Sequence, residues 1–536
     1  MKVFFEQLSQ YNPSIEGRKH IVYVPYDQLT DGFGPLAEYP AAELAIIMIE
    51  SSWKGNRRNY HKQKLAVLLS SSRHFALEQA KRGVHVIYRY GEESFGKILA
   101  AIIDALSLKE VMVMRPAERE LRVDLAPLLQ SGRLRELPHS GWLSQAEDLD
   151  SLARPPWKMG HFYQKIRKRT GYLMEAGAPV GGKYSFDDEN QLPWKGEPSL
   201  PAVPVFTPDE ITQEVGDLIE SHYAEHWGVL DLGAIPASLE QVAQAWAWAK
   251  ESCLYYFGPY EDAMTFQSGN LFHTRLSTLL NLQRISAKRA VEEVIALDIP
   301  LNSKEGFVRQ VLGWREFMYR IHEKTDGFRD VKGTKPPVLL QGDEDRGSLI
   351  NFLSADQPLI PAFWGRESGL KCLDITVGQV FSEGYTHHIP RLMVLSNIAT
   401  LLRLSPREVN DWFWVAFTDA YEWVVEPNVL GMGLFATGEL LSTKPYISGS
   451  GYIHRMSDYC SKCAFHPKKT CPITSWYWFF LEQNQEKLQN NFRLKMILRS
   501  LQRRSGEKKK QDQEIYQRSI DILQQGNVLK PADIEV

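Results

Sequence analysis

Apolar runs and polar breaks divide the chain into two regimes. In the first, short blocks of Ile and Val alternate with longer segments whose apolar positions recur every three or four residues. Residues 20–24 and 45–49 are short runs rich in Ile and Val and predict buried strands. Residues 62–81 place Leu65, Leu68, Leu69, Phe75 and Ala76 on one helical stripe, and Gly83 closes that helix before a strand at 84–88. Residues 98–106 and 111–114 repeat the helix–strand unit. Such alternation predicts a parallel sheet with helices on both faces, a Rossmann-like α/β domain over residues 1–140. No Gly-x-Gly-x-x-Gly follows the first strand, so the dinucleotide fingerprint of a dehydrogenase is missing.

The pattern then changes. Pro155, Pro156, Pro179, Gly181, Gly182, Pro193, Pro198, Pro201 and Pro204 punctuate residues 141–240, which read as an interdomain connector containing one basic helix. From Leu239 onward helical segments follow one another with few alternating runs, predicting an all-helical domain over 241–536. A length of 536 residues exceeds one core and agrees with two or three domains. Hydrophobic content of 43% and charged content of 24% are those of a soluble globular protein. No apolar run approaches the ~20 residues that cross a bilayer, and Glu6 interrupts the opening Met-Lys-Val-Phe-Phe before a signal core forms. The chain therefore reads as cytoplasmic with no membrane partner, where cysteines serve metals more than disulfides.

A net charge of −3 points to no partner by itself. Its distribution does: Lys158, Lys165, Arg167, Lys168 and Arg169 surround His161, Phe162 and Tyr163, a local phosphate-binding pattern. A second basic cluster between Arg493 and Lys510 reads as a solvated helix face. Cys460-x2-Cys463-x7-Cys471-Pro, with Cys372 far upstream, has metal-ligand spacing. That spacing alone admits an iron–sulfur cluster, a structural zinc or unligated thiols, and His466 offers zinc a mixed ligand set. Cys253 lies outside the pattern and reads as a packed thiol.

The helical half concentrates tryptophan, at 314, 364, 412, 414, 423, 476 and 478, each of which alone reads as core. His387 and His388 precede an apolar helix in Gly-Tyr-Thr-His-His-Ile-Pro-Arg-Leu-Met and offer a pocket its proton donor. Residues 272–281, Phe-His-Thr-Arg-Leu-Ser-Thr-Leu-Leu-Asn, open a helix with hydroxyls and backbone N–H groups, a phosphate cradle. Residues 310–317, Gln-Val-Leu-Gly-Trp-Arg-Glu-Phe, put an aromatic, a cation and an anion on one helix. Residues 444–452, Lys-Pro-Tyr-Ile-Ser-Gly-Ser-Gly-Tyr, form a loop able to approach a flat ring. Together with the four cysteines these segments resemble the photolyase/cryptochrome superfamily, and within it the iron–sulfur bacterial cryptochrome and photolyase branch. Characterised members of that branch include prokaryotic (6-4) photolyases. The resemblance runs from Tyr26-Asp-Gln-Leu to Cys471-Pro.

The resemblance implies the photolyase/cryptochrome fold, an α/β antenna domain ahead of a helical FAD-binding domain. It implies a [4Fe-4S] cluster on Cys372, Cys460, Cys463 and Cys471. It implies FAD held by Thr274, Arg275, Leu276 and Ser277, with Trp314 and Arg315 against it and Arg391 beyond the His pair. Glu426, Asn428, Gly431 and Met432 would face the isoalloxazine, although the acid falls one position later than in many relatives. Trp412 and Trp364 would carry photoreduction, with Phe413 standing where relatives often have Tyr. A 6,7-dimethyl-8-ribityllumazine antenna would use Asp27, Gln28, Leu29 and Glu50 at the carboxyl ends of strands.

The activity so implied is light-driven repair of UV-damaged DNA by a monomer, with (6-4) pyrimidine–pyrimidone photoproducts as the lesion. Lys158, Lys165, Arg167, Lys168, Arg169 and Lys183 would hold phosphates, while Tyr446 and Tyr452 touch the lesion. His388, assisted by His387, would supply the proton that oxygen transfer in this lesion requires. The run Asp187-Asp188-Glu189 offers carboxylates to a divalent cation beside DNA, against the plainer reading of a solvated turn. The alternative is a cryptochrome-type blue-light photoreceptor with the same cofactors, and a third reading is a zinc-stabilised DNA-binding protein without flavin.

Overall fold

A computed structural model describes residues 1–152, 155–331 and 347–535. Five parallel strands, β1 (His20–Tyr23), β2 (Leu44–Ser51), β3 (His85–Gly91), β4 (Val111–Met114) and β5 (Leu134–Leu137), form one sheet in the order β3-β2-β1-β4-β5. Val22 pairs with Ile46 on one side and Met112 on the other, so β1 sits at the centre. Leu44, Ala45, Ile46 and Ile47 are wholly buried, as strands covered on both faces must be. β5, Leu-Arg-Glu-Leu, closes the sheet's edge with two charged residues between its leucines, and so short a pattern escapes the sequence reading.

The long helix Lys62–Arg82 forms as its apolar stripe predicts and ends at Gly83, whose φ of 95° is the left-handed conformation of a helix stop. Several helices were not legible, among them Arg119–Gln130, Lys2–Tyr11 and Glu210–His222. Lys2–Tyr11 buries Phe4 and Leu8, with Phe4 packed edge-on against Tyr88 at 4.7 Å. Glu210–His222, inside the connector, starts where the Asp209 side chain accepts from Thr212 N–H, and buries Ile211, Val215 and Ile219. It packs on Lys62–Arg82, so part of the connector belongs to the α/β layer. The basic helix of the connector is Met159–Thr170.

From Leu239 onward the regular elements among the described residues are helices, joined by loops and a few isolated bridges. Four segments are wound wider than an α-helix: Ala249–Cys253, Arg309–Arg315, Pro390–Ser396 and Pro427–Gly433. Each π-type turn inserts a residue and re-aims the side chains that follow. The two domains are joined by charge as well as packing. Lys54 bridges Glu118 (2.9 Å) and Glu120 (2.8 Å), Arg58 pairs with Glu120 (2.7 Å), and the Glu120 N–H donates to Glu422 of the helical domain (2.9 Å). No helix among the described residues is long and apolar enough to cross a membrane.

Candidate functional site

Two cavities open into each other within the helical domain, of about 250 and about 570 Å³. Three of the four wide turns line them, presenting Gln310, Trp314, Arg391, Asn428 and Met432. The smaller cavity collects Thr274, Arg275, Leu276, Ser277, Trp314, Arg315, His387, His388, Arg391 and Asn428, ten of the residues the sequence singles out. Three arginines there, Arg275, Arg315 and Arg391, face a single lining carboxylate, Asp419. Asp419 is spoken for: its oxygens take both Arg391 amino groups at 2.9 and 3.0 Å and the Ser277 hydroxyl at 2.6 Å. Against the upward push of burial, Arg391 and Ser277 hold its carboxyl below the ordinary range. Burial brings Arg315 down to about 10 while its guanidinium stacks over Trp142 at 4.2 Å. Cations and hydroxyls on one wall, with Trp314 and Trp423 among the apolar lining, suit a ligand that combines phosphates with a flat ring. The expected helix-start cradle is corrected in one respect. Only Ser277–Asn281 is helical, and Thr274 to Leu276 approach it in a loop with Arg275 at φ +53°.

His388 stands where the cavities meet and lines both. A third imidazole joins the predicted pair: His273 stacks on His387 at 4.1 Å and meets His388 edge-on at 5.1 Å. His273 Nε2 donates to the Glu261 carbonyl at 3.1 Å, which leaves Nδ1 as an acceptor. Burial lowers His273 and His388 to about 3, so all three rings are neutral in this arrangement. The larger cavity is lined by Tyr446, Tyr452 and Met432 as well as Met159, Tyr163 and Gln164 of the basic helix. Its floor carries a charge set the sequence reading missed. Glu261 accepts from Asn190 (2.6 Å), Arg309 (3.0 Å) and Gln310 (2.5 Å), and Arg309 also pairs with Asp187 (2.9 Å). Beside them Asp262 is pushed up to about 7, by burial first and then by Glu261 and Asp187.

An aromatic line leaves the smaller cavity. The Arg391 guanidinium covers the Phe417 ring at 4.1 Å, and Phe417 meets Trp412 at 5.8 Å. Trp412 and Trp364 are linked through a third ring. Trp227, brought in by the connector, lies between them at 6.2 Å from Trp412 and 5.8 Å from Trp364, which is 41% exposed. Phe413 stacks on Phe417 at 5.3 Å. The indole N–H groups of Trp412 and Trp227 have no acceptor. Trp227 carries no local signal; only the fold brings it to the other two.

Cys372, Cys460, Cys463 and Cys471 converge on one small cavity sealed by Leu370, Ile453, Phe465 and Ile473. Burial pushes the Cys460 thiol to about 11 and Cys471 to about 12, and the Cys372 thiol is raised by burial and by the other three sulfurs. Four thiols lining one small, largely apolar pocket have the donor chemistry that a metal centre would use. His466 is exposed and accepts from Lys468 N–H at 3.2 Å, so the mixed zinc set is not assembled.

Several expected residues lie elsewhere. Glu426 is wholly buried among His322 (3.2 Å), Arg329 (3.3 Å) and Arg407 (3.1 Å), facing away from both cavities. The wide turn that follows aims Asn428 and Met432 into the cavities instead. Gly431 faces Leu441, where a Cβ would come within 2.7 Å. Arg167 is buried and donates to the carbonyls of Tyr172, Leu173 and Tyr184, and Arg169 forks onto Asp148 at 2.6 and 3.0 Å. Both are structural cations, out of reach of a phosphate. Lys183 pairs with Glu189 at 3.2 Å, whereas Lys158, Lys165 and Lys168 make no ion pair among the described residues.

At the sheet's carboxyl ends, Glu50 is held by Arg73 (2.7 and 3.0 Å) and Tyr88 (3.0 Å) beside a cavity of about 50 Å³. Asp27 caps the Ala117 N–H (2.9 Å), Gln28 donates to the Met114 carbonyl (2.8 Å) and the Leu29 N–H to the Leu282 carbonyl (2.9 Å). Asp27 Oδ1 is left buried without a partner, while the cavity beside Glu50 is too small as it stands for a lumazine ring.

Residues 22–233 match the model of the deoxyribodipyrimidine photo-lyase-related protein family. The chain is 33% identical over 500 residues to a (6-4) photolyase of Agrobacterium fabrum, an alignment covering 88% of this chain and 94% of that one. A crystal structure of a bacterial class III photolyase from Agrobacterium tumefaciens is similar at a TM-score of 0.49 and 17% identity, over 79% of this chain and 82% of the other. That structural likeness is loose and carries no argument.

Proposed function

From the premise that this chain belongs to the photolyase-related family, we propose that it repairs (6-4) photoproducts in UV-damaged DNA with light. The observation that carries this reading is His388, which lines both the arginine-rich cavity proposed for the flavin and the larger cavity beside it. A (6-4) lesion needs a proton delivered to the migrating oxygen, and a ring lining both cavities is where that proton must come from. FAD, bound in the smaller cavity, supplies light absorption and the one-electron donor.

The remaining steps belong to the chain. Arg275, Arg391, Thr274 and Ser277 bind the diphosphate region, and Asp419 fixes the Arg391 fork. Trp314 and Asn428 line both cavities and so orient ring against lesion. Tyr446 and Tyr452 receive the flipped bases, whose weak pairing lowers the cost of extrusion. His388 is neutral in this arrangement, so it would act as the acid only after taking up a proton when the lesion is bound, returning to the neutral imidazole once that proton has passed to the oxygen. His273, stacked on His387 behind it, holds the ring. Lys158, Lys165 and Lys168 on the helix that lines the larger cavity meet the phosphates. The four cysteines hold a [4Fe-4S] cluster, the all-sulfur set its ligation demands. Asp187, Asp188 and Glu189 remain a surface turn, since Asp187 and Glu189 already have cationic partners.

The test is illumination of the reduced holoenzyme with oligonucleotides carrying a (6-4) or a cyclobutane lesion, analysed separately. Turnover of the (6-4) substrate is expected. Turnover of neither, with flavin intact, replaces repair by a photoreceptor role.

A further inference from the structure

Phe492 and Met496, 86% and 82% exposed, are with Val205 the most exposed large apolar side chains among the described residues. Four residues apart, they share one side of the segment that leads into helix Lys495–Gln502. The opposite side buries Leu494, Leu498 and Leu501 and packs on helix Pro472–Gln483, so the exposed pair stands on a held element. Asn491 fixes its start. The Asn491 carbonyl accepts from Arg493 N–H (3.0 Å), and its amide donates to Glu439 (2.7 Å) and to the Thr443 carbonyl (2.9 Å). Thr443 immediately precedes Lys444, Pro445 and Tyr446, which wall the larger cavity. Arg493 is near enough to Tyr446 to oppose the upward push that burial gives its phenol.

The basic cluster around this pair is of two kinds. Arg504, Lys509 and Lys510 pair with Asp512, Glu482 and Glu514 and are the solvated face the sequence suggests. Arg493, Lys495, Arg499 and Arg503 are exposed and have no carboxylate partner among the described residues. Unpaired cations flanking two bare apolar side chains, tied through Asn491 to the loop that walls the larger cavity, complement a polyanion with a hydrophobic interior. Duplex DNA has that character once a nucleotide has been turned out of its stack.

We propose that Phe492 and Met496 form a wedge that enters the duplex where the lesion has left it, with Arg493, Lys495 and Arg499 on the flanking phosphates. The assignment rests on the larger cavity being the lesion site. Apolar side chains that enter a base step offset the unstacking cost of opening it.

The experiment measures dark binding of the holoenzyme to one (6-4) lesion, in a duplex and in the corresponding single strand, with 2-aminopurine beside the lesion as reporter. Phe492→Ala with Met496→Ala should weaken duplex binding by about tenfold and abolish the 2-aminopurine rise. Single-strand binding has no stack to fill and should change less than about twofold. Phe492→Leu should retain the duplex affinity. Arg493→Ala with Lys495→Ala should flatten the salt dependence by about 0.9 per lost phosphate contact. An unchanged ratio of duplex to single-strand affinity in the double alanine variant, with flavin absorbance intact, overturns the wedge and leaves the lesion cavity standing. A parent enzyme with no preference for damaged over undamaged DNA overturns both.

Discussion

Replacing Asp419 with Asn tests whether the arginine-rich cavity is organised by one carboxylate. Asp419 neutralises Arg391 through two hydrogen bonds and accepts a third from Ser277, and all three groups line the cavity. Asn preserves the shape but can accept on one oxygen only, and leaves the guanidinium without its counter-charge. Breaking a fully buried pair costs ~3–5 kcal/mol. The Arg391 side chain keeps 20% of its exposure, which places the loss nearer ~2–3 kcal/mol. In binding this corresponds to a ~30–150-fold weaker grip on FAD, if the misplaced fork is what the phosphates require. Urea midpoints and flavin absorbance per mole of protein measure the two effects separately. A companion pair, Arg391→Met with Asp419→Leu, should restore stability to within ~1 kcal/mol, because apolar replacement of an ion pair is near neutral, yet remain flavin-poor. Full stability and full flavin content in Asp419→Asn would refute the reasoning. Because its carboxyl is held below the ordinary value, the contribution is complete above about pH 4 and is lost in stronger acid.

Other expectations follow from the same geometry. His388→Ala should lower (6-4) repair by ~10²–10⁴-fold with FAD still bound; retained repair on product analysis would remove its role as donor. Asp262 titrates near 7 in the wall of the larger cavity, so it gains charge as pH rises from 6 to 8. Affinity for lesion DNA should fall over that interval and become flat in Asp262→Asn; a parallel fall in the variant would assign the effect elsewhere. Trp227→Phe should cut flavin photoreduction while Trp412 and Trp364 stay in place, and an unchanged yield under continuous blue light would mean the path bypasses it. Cys372→Ala should abolish cluster absorbance, and normal iron content in the purified variant would exclude it as a ligand.

What could be read beforehand follows physical range. The strands, the helix Lys62–Arg82 and its stop at Gly83 depend on contacts a few residues apart, and periodicity exposes them. Ten cavity residues were legible because they lie in four short segments with distinctive chemistry. Residues that act through long-range geometry stayed hidden. Trp227 becomes a bridge only when the connector folds back on the helical domain, and His273 joins the His pair across more than a hundred residues of chain. Glu426 was carried over from the resemblance although its acid falls one position later than in many relatives, and at that position it is buried against His322, Arg329 and Arg407. Arg167 looked like a phosphate ligand because sequence reports charge but not the three carbonyls that absorb it.

The cysteine site gains meaning from the helix that carries its remote member. Cys372 lies in the first turn of Lys371–Glu383, and Glu383 in the last turn of that helix pairs with Arg275 of the smaller cavity. Eleven residues of α-helix span ~16 Å, so one rigid rod joins the sulfur cavity to the flavin wall. Thr376 adds an internal tie, its hydroxyl donating to the Cys372 carbonyl at 2.7 Å. A cluster that anchors the near end of this rod therefore sets the position of Glu383 at the far end. If the proposed cluster is present, it would contribute to flavin binding through the Glu383–Arg275 pair without touching the flavin. Glu383→Gln separates this from electron transfer, since it leaves all four thiolates in place and removes only the far contact. If flavin occupancy is insensitive to Glu383→Gln but collapses when the cluster is removed, the coupling runs by another route.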